Sequence, residues 1–285
     1  MRRRQEIILG IGGVRVRRAL GGHPARFHAT EGHSSFLFLE LARERVAAGA
    51  ALSDALKATA EMSVFTTHTP VEAGHDVFAE EMICEYFSSY WPQLGVDRER
   101  FLDFARAPGH AGWNMTALAL KFAGRRNAVS RRHGQVSREM WKSLWPSRPA
   151  DEAPIAHVTN GVHLPTWVQQ DLGALYDRYL GAGWRERQDD EAVWSKIASL
   201  PDELLWMQHN RNKSELMQMM RARARRRWMN ERGDPAQALA GGALLDHSAL
   251  VIGFARRFAG YKRATLVLRD VERLKKLLFD PWRPV

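Results

Sequence analysis

Patterns typical of helices and of strands alternate along this 285-residue chain, and this alternation restricts its fold more than any other feature. Residues 34–49 (SSFLFLELARERVAAG) carry apolar residues at helical spacing and end at a glycine, as a helix does. Residues 63–71 (SVFTTHTPV) begin with a short apolar and β-branched run that is typical of a buried strand. The sequence therefore predicts an α/β fold.

Similar patterns predict other elements of the first half. Residues 6–13 (EIILGIGG) indicate a short strand that ends in glycines, and residues 53–62 (SDALKATAEM) indicate a helix with Ser53 as its N-cap. Residues 114–141 indicate two helices around the connection GRRNAVS. Residues 155–167 (IAHVTNGVHLPTW) indicate a strand, an Asn-Gly turn and a loop.

The second half begins with a polar, tryptophan-containing connection over residues 183–203 and continues with a long helix over residues 201–233. A turn at GGALL, a buried strand over residues 248–254 (SALVIGF) and a cationic loop are then predicted. An amphipathic helix over residues 264–279 follows this loop.

The net charge of +10 admits nucleic acid, anionic membranes or anionic small molecules as partners. The run RARARRRW (221–228) is typical of a nucleic-acid patch, but at the end of an amphipathic helix it fits a solvated face better. No apolar run has the length of roughly 18 residues that a membrane span needs. The single Cys84 suits a reducing cytoplasm. We therefore predict a cytoplasmic protein without nucleic-acid or membrane partners.

Common ligand-binding motifs are not matched. Arg15 occupies the third glycine position of the dinucleotide pattern in GIGGVR, and GFARRFAGYK has too many residues between its glycines for a Walker A loop. The histidines of residues 28–35 (HATEGHSS) and 66–76 (TTHTPVEAGHD) fit no known metal-ligand spacing, so no metal site is predicted.

Five stretches together resemble one family. They are FHATEGHSSFLFLELAR, VFTTHTPVEAGHDVF, NMTALALKFAGRRNAVSRRHG, HVTNGVHLPTW and GFARRFAGYKRA. Their order and approximate spacing are similar to those of the α-glucan phosphorylases, particularly the shorter bacterial and archaeal type. The resemblance covers nearly the whole chain. It implies a glycosyltransferase fold of the GT-B type, in which two Rossmann-like lobes enclose the active site.

The resemblance also implies a reaction. Enzymes of this family transfer the terminal glucosyl unit of an α-1,4-glucan, such as glycogen or maltodextrin, to inorganic phosphate and so release glucose 1-phosphate. Pyridoxal phosphate lies in the cleft, bound through a lysine Schiff base, and its 5′-phosphate takes part in proton transfer. Two phosphate groups close together repel each other unless cations lie between them.

Candidate site residues follow from the matched motifs. Arg257, Lys262 and His68 match catalytic positions, with the two cations as ligands of the substrate phosphate. Asn160, Glu31 and His33 match substrate-binding positions. Arg256 and Trp167 match positions beside the cofactor. The cationic loop is expected at the exit of a strand, where open α/β sheets bind ligands.

Two departures from the family pattern affect these expectations. Thr30 replaces an asparagine that usually precedes the Glu-Gly-His sequence. No lysine lies in a Ser/Thr/Gly-rich loop of the kind that holds the cofactor, since Lys275 and Lys276 belong to a charged helix. The chain is therefore expected to be an internal fragment of such an enzyme, inactive alone.

The predicted organisation of this fragment has three parts. Residues 1–182 form the later part of the first lobe, residues 183–240 a helical connection, and residues 241–285 the beginning of the second lobe. A catalytically silent glucan-binding protein is the main alternative. A nucleic-acid-binding protein and a metal-dependent hydrolase are further alternatives.

Overall fold

The computed structural model describes residues 2–110, 112–231, 249–280 and 282, and the chain divides into two compact units, Met1–Gly161 and Val162–Val285. All strands of the described residues belong to the first unit. Their bounds are Phe27–Thr30 (β1), Ser63–Thr67 (β2), Val77–Phe78 (β3), Trp113–Asn114 (β4), Arg125–Ala128 (β5) and Ala156–His157 (β6).

Four of these strands form a parallel sheet in the order β1-β2-β5-β6, while β3 and β4 form a separate antiparallel pair. The carboxyl ends of the four parallel strands therefore lie at one edge of the sheet. This mixed architecture confirms the predicted α/β fold, and the sheet edge is the place where such folds bind ligands.

Helices of the first unit pack around this sheet and enclose an apolar core rich in aromatic residues. The largest fully buried side chains in this core include Trp113, Trp141, Phe36, Phe38 and Phe65. The helix bounds are Arg2–Ile7 (α1), Gly13–Ala19 (α2), Phe36–Ala47 (α3), Leu52–Glu61 (α4), Glu80–Phe87 (α5), Arg98–Asp103 (α6), Met115–Phe122 (α7) and Arg131–Trp141 (α8).

The strand predicted for residues 6–13 is wrong. A π-helical turn, Ile8–Gly12, joins α1 to α2, so the segment is helical. Buried positions recur at helical spacing, at Glu6, Gly10, Ile11 and Val14, and they form one face. The short apolar run therefore follows the turns of a helix, with Gly10 and Ile11 buried and Ile8 and Leu9 exposed, and it is not the interior of a strand.

Gly10 permits the close contact between this helical segment and α3. A Cβ atom at Gly10 would lie 2.7 Å from Cβ of Phe36 and 2.8 Å from the backbone nitrogen of Leu37. The same atom at Gly13 would meet nothing within 4 Å. These two glycines therefore form a matched pair, one under packing constraint and one without it.

We expect Gly10→Ala to lower the free energy of unfolding by about 1–3 kcal/mol, because the added methyl group overpacks a backbone contact. Gly13→Ala should be neutral or stabilising by up to about 1 kcal/mol, since alanine favours a helix more than glycine does. Urea unfolding of both variants measures the difference. Equal stabilities would contradict the close packing at Gly10.

The remaining expectations for the first unit are largely confirmed. Helix α3 ends near Gly49, which has a left-handed φ of 96°. The segment GRRNAVS separates α7 from α8 as predicted and contains strand β5. Ser53 is not an N-cap, because Ala51 has the extended backbone of the cap position and Ser53 already lies in the first turn of α4.

The second unit contains helices and no strand in its described residues, and a small core of Leu180, Trp184 and Val193 lies among these helices. Arg185 forms an ion pair with Asp177, which also accepts a hydrogen bond from the indole nitrogen of Trp184 at 3.0 Å. The helix bounds are Leu164–Trp167 (α9), Gln170–Leu180 (α10), Glu191–Trp194 (α11), Asp202–Glu231 (α12) and Val271–Leu278 (α13).

The buried strand predicted over residues 248–254 is wrong for its described part. Residues 249–258 have no regular secondary structure, and apolar side chains such as Leu250 and Phe258 are 60% and 95% exposed. A single strand is not stable without a paired neighbour, and the described residues of the second unit contain no other strand. Among the described residues of this unit, the run therefore has no strand to pair with.

The other expectations for the second half have mixed outcomes. The long helix is confirmed as α12, whereas the helix predicted over residues 264–279 consists of a 3₁₀ turn, Ala264–Leu268, followed by α13. The GGALL turn and the predicted boundary between residues 240 and 241 lie outside the described residues. The three predicted parts of the chain remain predictions. Within the described ranges, no helix is long and apolar enough to cross a membrane.

Candidate functional site

Three candidate residues follow parallel strands at the same edge of the sheet. Glu31 comes directly after β1, His68 directly after β2, and Asn160 shortly after β6. His33 lies close to Glu31, on the 3₁₀ turn Gly32–Ser34. The topology therefore gathers the predicted glucan-binding residues at the carboxyl edge of the sheet, where open α/β sheets bind ligands.

Glu31 links two of these loops through its side chain. The backbone N–H of His68 donates a hydrogen bond to Oε1 of Glu31 at 2.6 Å, and the hydroxyl of Thr69 donates to the same oxygen at 2.9 Å. The backbone N–H of Glu31 in turn donates to the carbonyl of Thr66 at 2.9 Å. Two hydrogen bonds thus join Glu31 to the loop after β2, and a third joins it to strand β2 itself.

Residues at the start of α7 support the backbone around Glu31 by packing and hydrogen bonding. Gly32 is buried there, and a Cβ atom at its position would lie 2.9 Å from Oγ1 of Thr116. Ser35 donates to the carbonyl of Met115 at 2.7 Å, while Asn114 caps α7 by accepting from two backbone N–H groups at 3.0 Å. This support fixes the position of the Glu31 loop.

The side chains of His68 and Asn160 are exposed and, within the described part of the chain, make no hydrogen bond. The backbone of Asn160 is held, because its N–H donates to the carbonyl of Val129 at 3.1 Å. An imidazole and an amide presented in this way are free to bond to hydroxyl groups of a ligand.

The predicted phosphate ligands belong to the second unit. Arg256 and Arg257 are exposed and form no ion pair with another described residue. Lys262 closes the 3₁₀ turn Gly260–Lys262, and its Nζ lies 4.7 Å from the centroid of the Tyr261 ring. The expectation that this loop leaves a strand is wrong, because residues 249–258 form no strand. The cations are nevertheless available to an anion.

Trp167, the predicted cofactor neighbour, is the last residue of α9 and is 77% exposed. The indole is therefore accessible to a ligand. Its open face is suitable for stacking against a planar ring.

His28 and His75 have structural contacts, the first within the sheet and the second within the core. Nε2 of His28 lies 2.7 Å from Oγ1 of Thr66, which donates to Oδ1 of Asn127 at 2.9 Å. His75 is buried, with its Nδ1 2.9 Å from Oγ1 of Thr116. Among the described residues, no group of three or more His, Cys, Asp or Glu is arranged to hold a metal ion.

Sequence reasoning did not identify Thr69, Asn114 or Thr116 as supports of the site. Thr69 is adjacent to His68 in the sequence, which is a usable signal, because a hydroxyl beside a ligand-binding residue is a frequent anchor. Asn114 directly precedes a helical pattern, so its capping role was detectable. The contact of Thr116 with Gly32 had no sequence signal.

Comparison with known proteins gives close relatives along the whole chain. A glycogen phosphorylase of Aquifex aeolicus is 41% identical over 287 aligned residues, a maltodextrin phosphorylase of Thermococcus litoralis 40% over 282, and a glycogen phosphorylase of Mycobacterium tuberculosis 39% over 296. The alignments cover 99–100% of this chain but only 41%, 33% and 34% of the respective relatives. No protein-family model matches the chain.

Proposed function

The chain belongs by sequence to the α-glucan phosphorylase family, and we propose that it supplies part of an active site that transfers a glucosyl unit from an α-1,4-glucan to inorganic phosphate. It spans 33–41% of the length of these relatives, in agreement with an internal segment of such an enzyme. The observation that carries the proposal is the convergence of Glu31, His68 and Asn160 at one sheet edge in a chain with these relatives.

The first unit is proposed to bind the glucan. His68 and Asn160 present free imidazole and amide groups, which match the hydroxyl groups of a glucosyl unit. Glu31 and His33 belong to the adjacent loop and complete the polar lining. Hydrogen bonds between such polar groups and the hydroxyl groups of a sugar would give the site its specificity.

The second unit is proposed to bind phosphate. Arg257 offers a planar fork for phosphate oxygens and Lys262 a compact charge, and neither forms an ion pair with a described carboxylate. Arg256 supplies a third cation to the same loop. Cations that are not already neutralised are what a site with two phosphate groups requires.

Pyridoxal phosphate is the cofactor that family membership suggests, and the chemistry of two exposed residues suits its phosphate and its ring. Arg256 would neutralise its phosphate, and the exposed indole of Trp167 would pack beside its ring. Bound there, the cofactor would supply a phosphate group for proton transfer to the substrate phosphate. The lysine that would attach it covalently is not assigned to this chain, because Lys275 and Lys276 lie on α13 and Lys262 has the phosphate role.

Phosphate titration of the purified chain tests the cation assignment. We expect Arg257→Ala and Lys262→Ala each to weaken phosphate binding about tenfold, because each removes charge-assisted hydrogen bonds. Arg269→Ala is the matched control: it removes the same charge from an exposed position in the same unit and should leave the affinity unchanged.

Isothermal titration calorimetry measures these affinities, and circular dichroism checks that each variant is folded. If Arg257→Ala and Lys262→Ala bind phosphate as tightly as Arg269→Ala and the wild type, the assignment of Arg257 and Lys262 as phosphate ligands is wrong. Saturable maltodextrin binding without phosphate binding would instead favour the silent glucan-binding alternative.

A further inference from the structure

We propose that Glu31 is a positioning residue, which fixes the loop that carries His68 and so sets the orientation of that histidine toward the glucan. The inference rests on the proposed function and deepens it. Its geometric basis is direct: Oε1 of Glu31 accepts from the backbone N–H of His68 at 2.6 Å and from the hydroxyl of Thr69 at 2.9 Å. Hydrogen bonds to a carboxylate are roughly twice as strong as neutral ones.

The bonds to Glu31 control the backbone at the end of β2. Thr67 is the last residue of that strand, and beyond it the sheet no longer restrains the chain. The bond to the His68 amide is therefore the first restraint on the loop after the strand. Since the imidazole of His68 is exposed and makes no hydrogen bond with a described residue, its position depends on this backbone.

The conformation of Glu31 supports the same role. Its φ of 63° and ψ of 164° are unusual for a residue with a side chain, and such conformations persist only where surrounding contacts enforce them. Here the N–H of Glu31 is bonded to Thr66, and Gly32 is pressed against Thr116. These contacts hold the backbone in a conformation that places the carboxylate against the loop after β2.

The competing role for Glu31 is direct contact with the glucan. Oε1 already accepts two hydrogen bonds, which leaves the other oxygen, Oε2, without a hydrogen bond from the described residues. The two roles make different predictions in combination with His68. A direct contact acts independently of His68, whereas a positioning residue loses its effect when the His68 side chain is absent.

Amide hydrogen exchange of the purified chain, resolved by NMR at single residues, tests the restraint itself. We expect Glu31→Ala to accelerate exchange of the His68 amide about tenfold or more, and Glu31→Gln to give a smaller increase because its amide oxygen still accepts. Glu72→Gln removes the same charge from an exposed site in the following 3₁₀ turn, Glu72–Gly74, and should leave the His68 amide unchanged. Unchanged exchange in both Glu31 variants would overturn the proposal.

Maltodextrin affinity in a double-mutant cycle tests the functional consequence. Glu31→Gln should weaken binding several-fold in the wild-type background and have almost no effect in the His68→Ala background. Equal loss in both backgrounds would overturn positioning in favour of direct contact. If the wild-type chain does not bind maltodextrin, the proposed function fails, while the exchange measurement still decides whether Glu31 fixes the loop.

Discussion

Replacement of Glu40 by alanine should lower the free energy of unfolding by about 1.5–3 kcal/mol, the range for loss of hydrogen bonds to a charged group. The carboxylate is fully buried in α3 and accepts hydrogen bonds from Arg15, Arg43 and the hydroxyl of Tyr90. Two of these bonds, from Arg43 Nη2 and Tyr90 Oη, are 2.7 Å long. The alanine variant would leave the buried Tyr90 hydroxyl and two cations without this partner.

Glu44→Ala is the matched control for Glu40→Ala. It lies one turn further along the same helix and forms an ion pair with Arg18 at 3.1 Å, but both side chains are about one quarter exposed. Such partly exposed pairs contribute about 0–1 kcal/mol. Guanidinium unfolding of the two variants should therefore give clearly different losses, and similar losses would contradict a buried-network role for Glu40.

The same network affects acid stability. Burial alone would raise the pKa of Glu40, but the hydrogen bonds from Arg43, Arg15 and Tyr90 outweigh it and hold the pKa below its ordinary value of 4.5. A depressed carboxyl pKa stabilises the folded state above the unfolded-state pKa, and this contribution is lost as the pH falls through the folded-state pKa. The stability that Glu40 contributes is therefore lost as the pH falls below about 4.5.

The sequence predicted those elements whose patterns are complete within a single segment. Helix α3 and strand β2 have clear periodicity and defined ends, and both form where expected. The segment 6–13 is helical and not a strand, because an apolar run of this length is compatible with either element. Its packing against α3 at Gly10 is a tertiary contact that the local pattern does not contain.

Prediction of the candidate site has a similar limit. Motif resemblance identified Glu31 and His68 as residues of one site, and the parallel sheet places both at one edge. The hydrogen bond between them depends on the register of β1 and β2, in which Thr30 pairs with Thr66. Register is set by strand packing across 36 residues of sequence, so residue pattern alone does not specify which loops Glu31 connects.

Between pH 6.5 and about 4, His75 should make a large contribution to the decrease in the free energy of unfolding. Burial, together with the charges of His110 and His133, lowers its pKa from 6.5 to about 4. Nδ1 of His75 lies 2.9 Å from Oγ1 of Thr116, and its ring packs edge-on against Trp141. Within this pH window the unfolded chain binds a proton at His75 that the folded chain does not, so stability falls as the pH is lowered.

The expected loss is about 3 kcal/mol across the whole window, and about 2 kcal/mol of it falls between pH 7 and 5, above the range in which Glu40 acts. His75→Gln removes this titration, so urea unfolding between pH 7 and 5 should give a flatter stability profile than the wild type, even if the variant is less stable at pH 7. His157→Gln, at an exposed position in β6, makes the same substitution outside the core and serves as the matched control. Parallel profiles for the wild type and His75→Gln would show that this histidine is not held neutral by the core, because a group with the same pKa in both states contributes no slope.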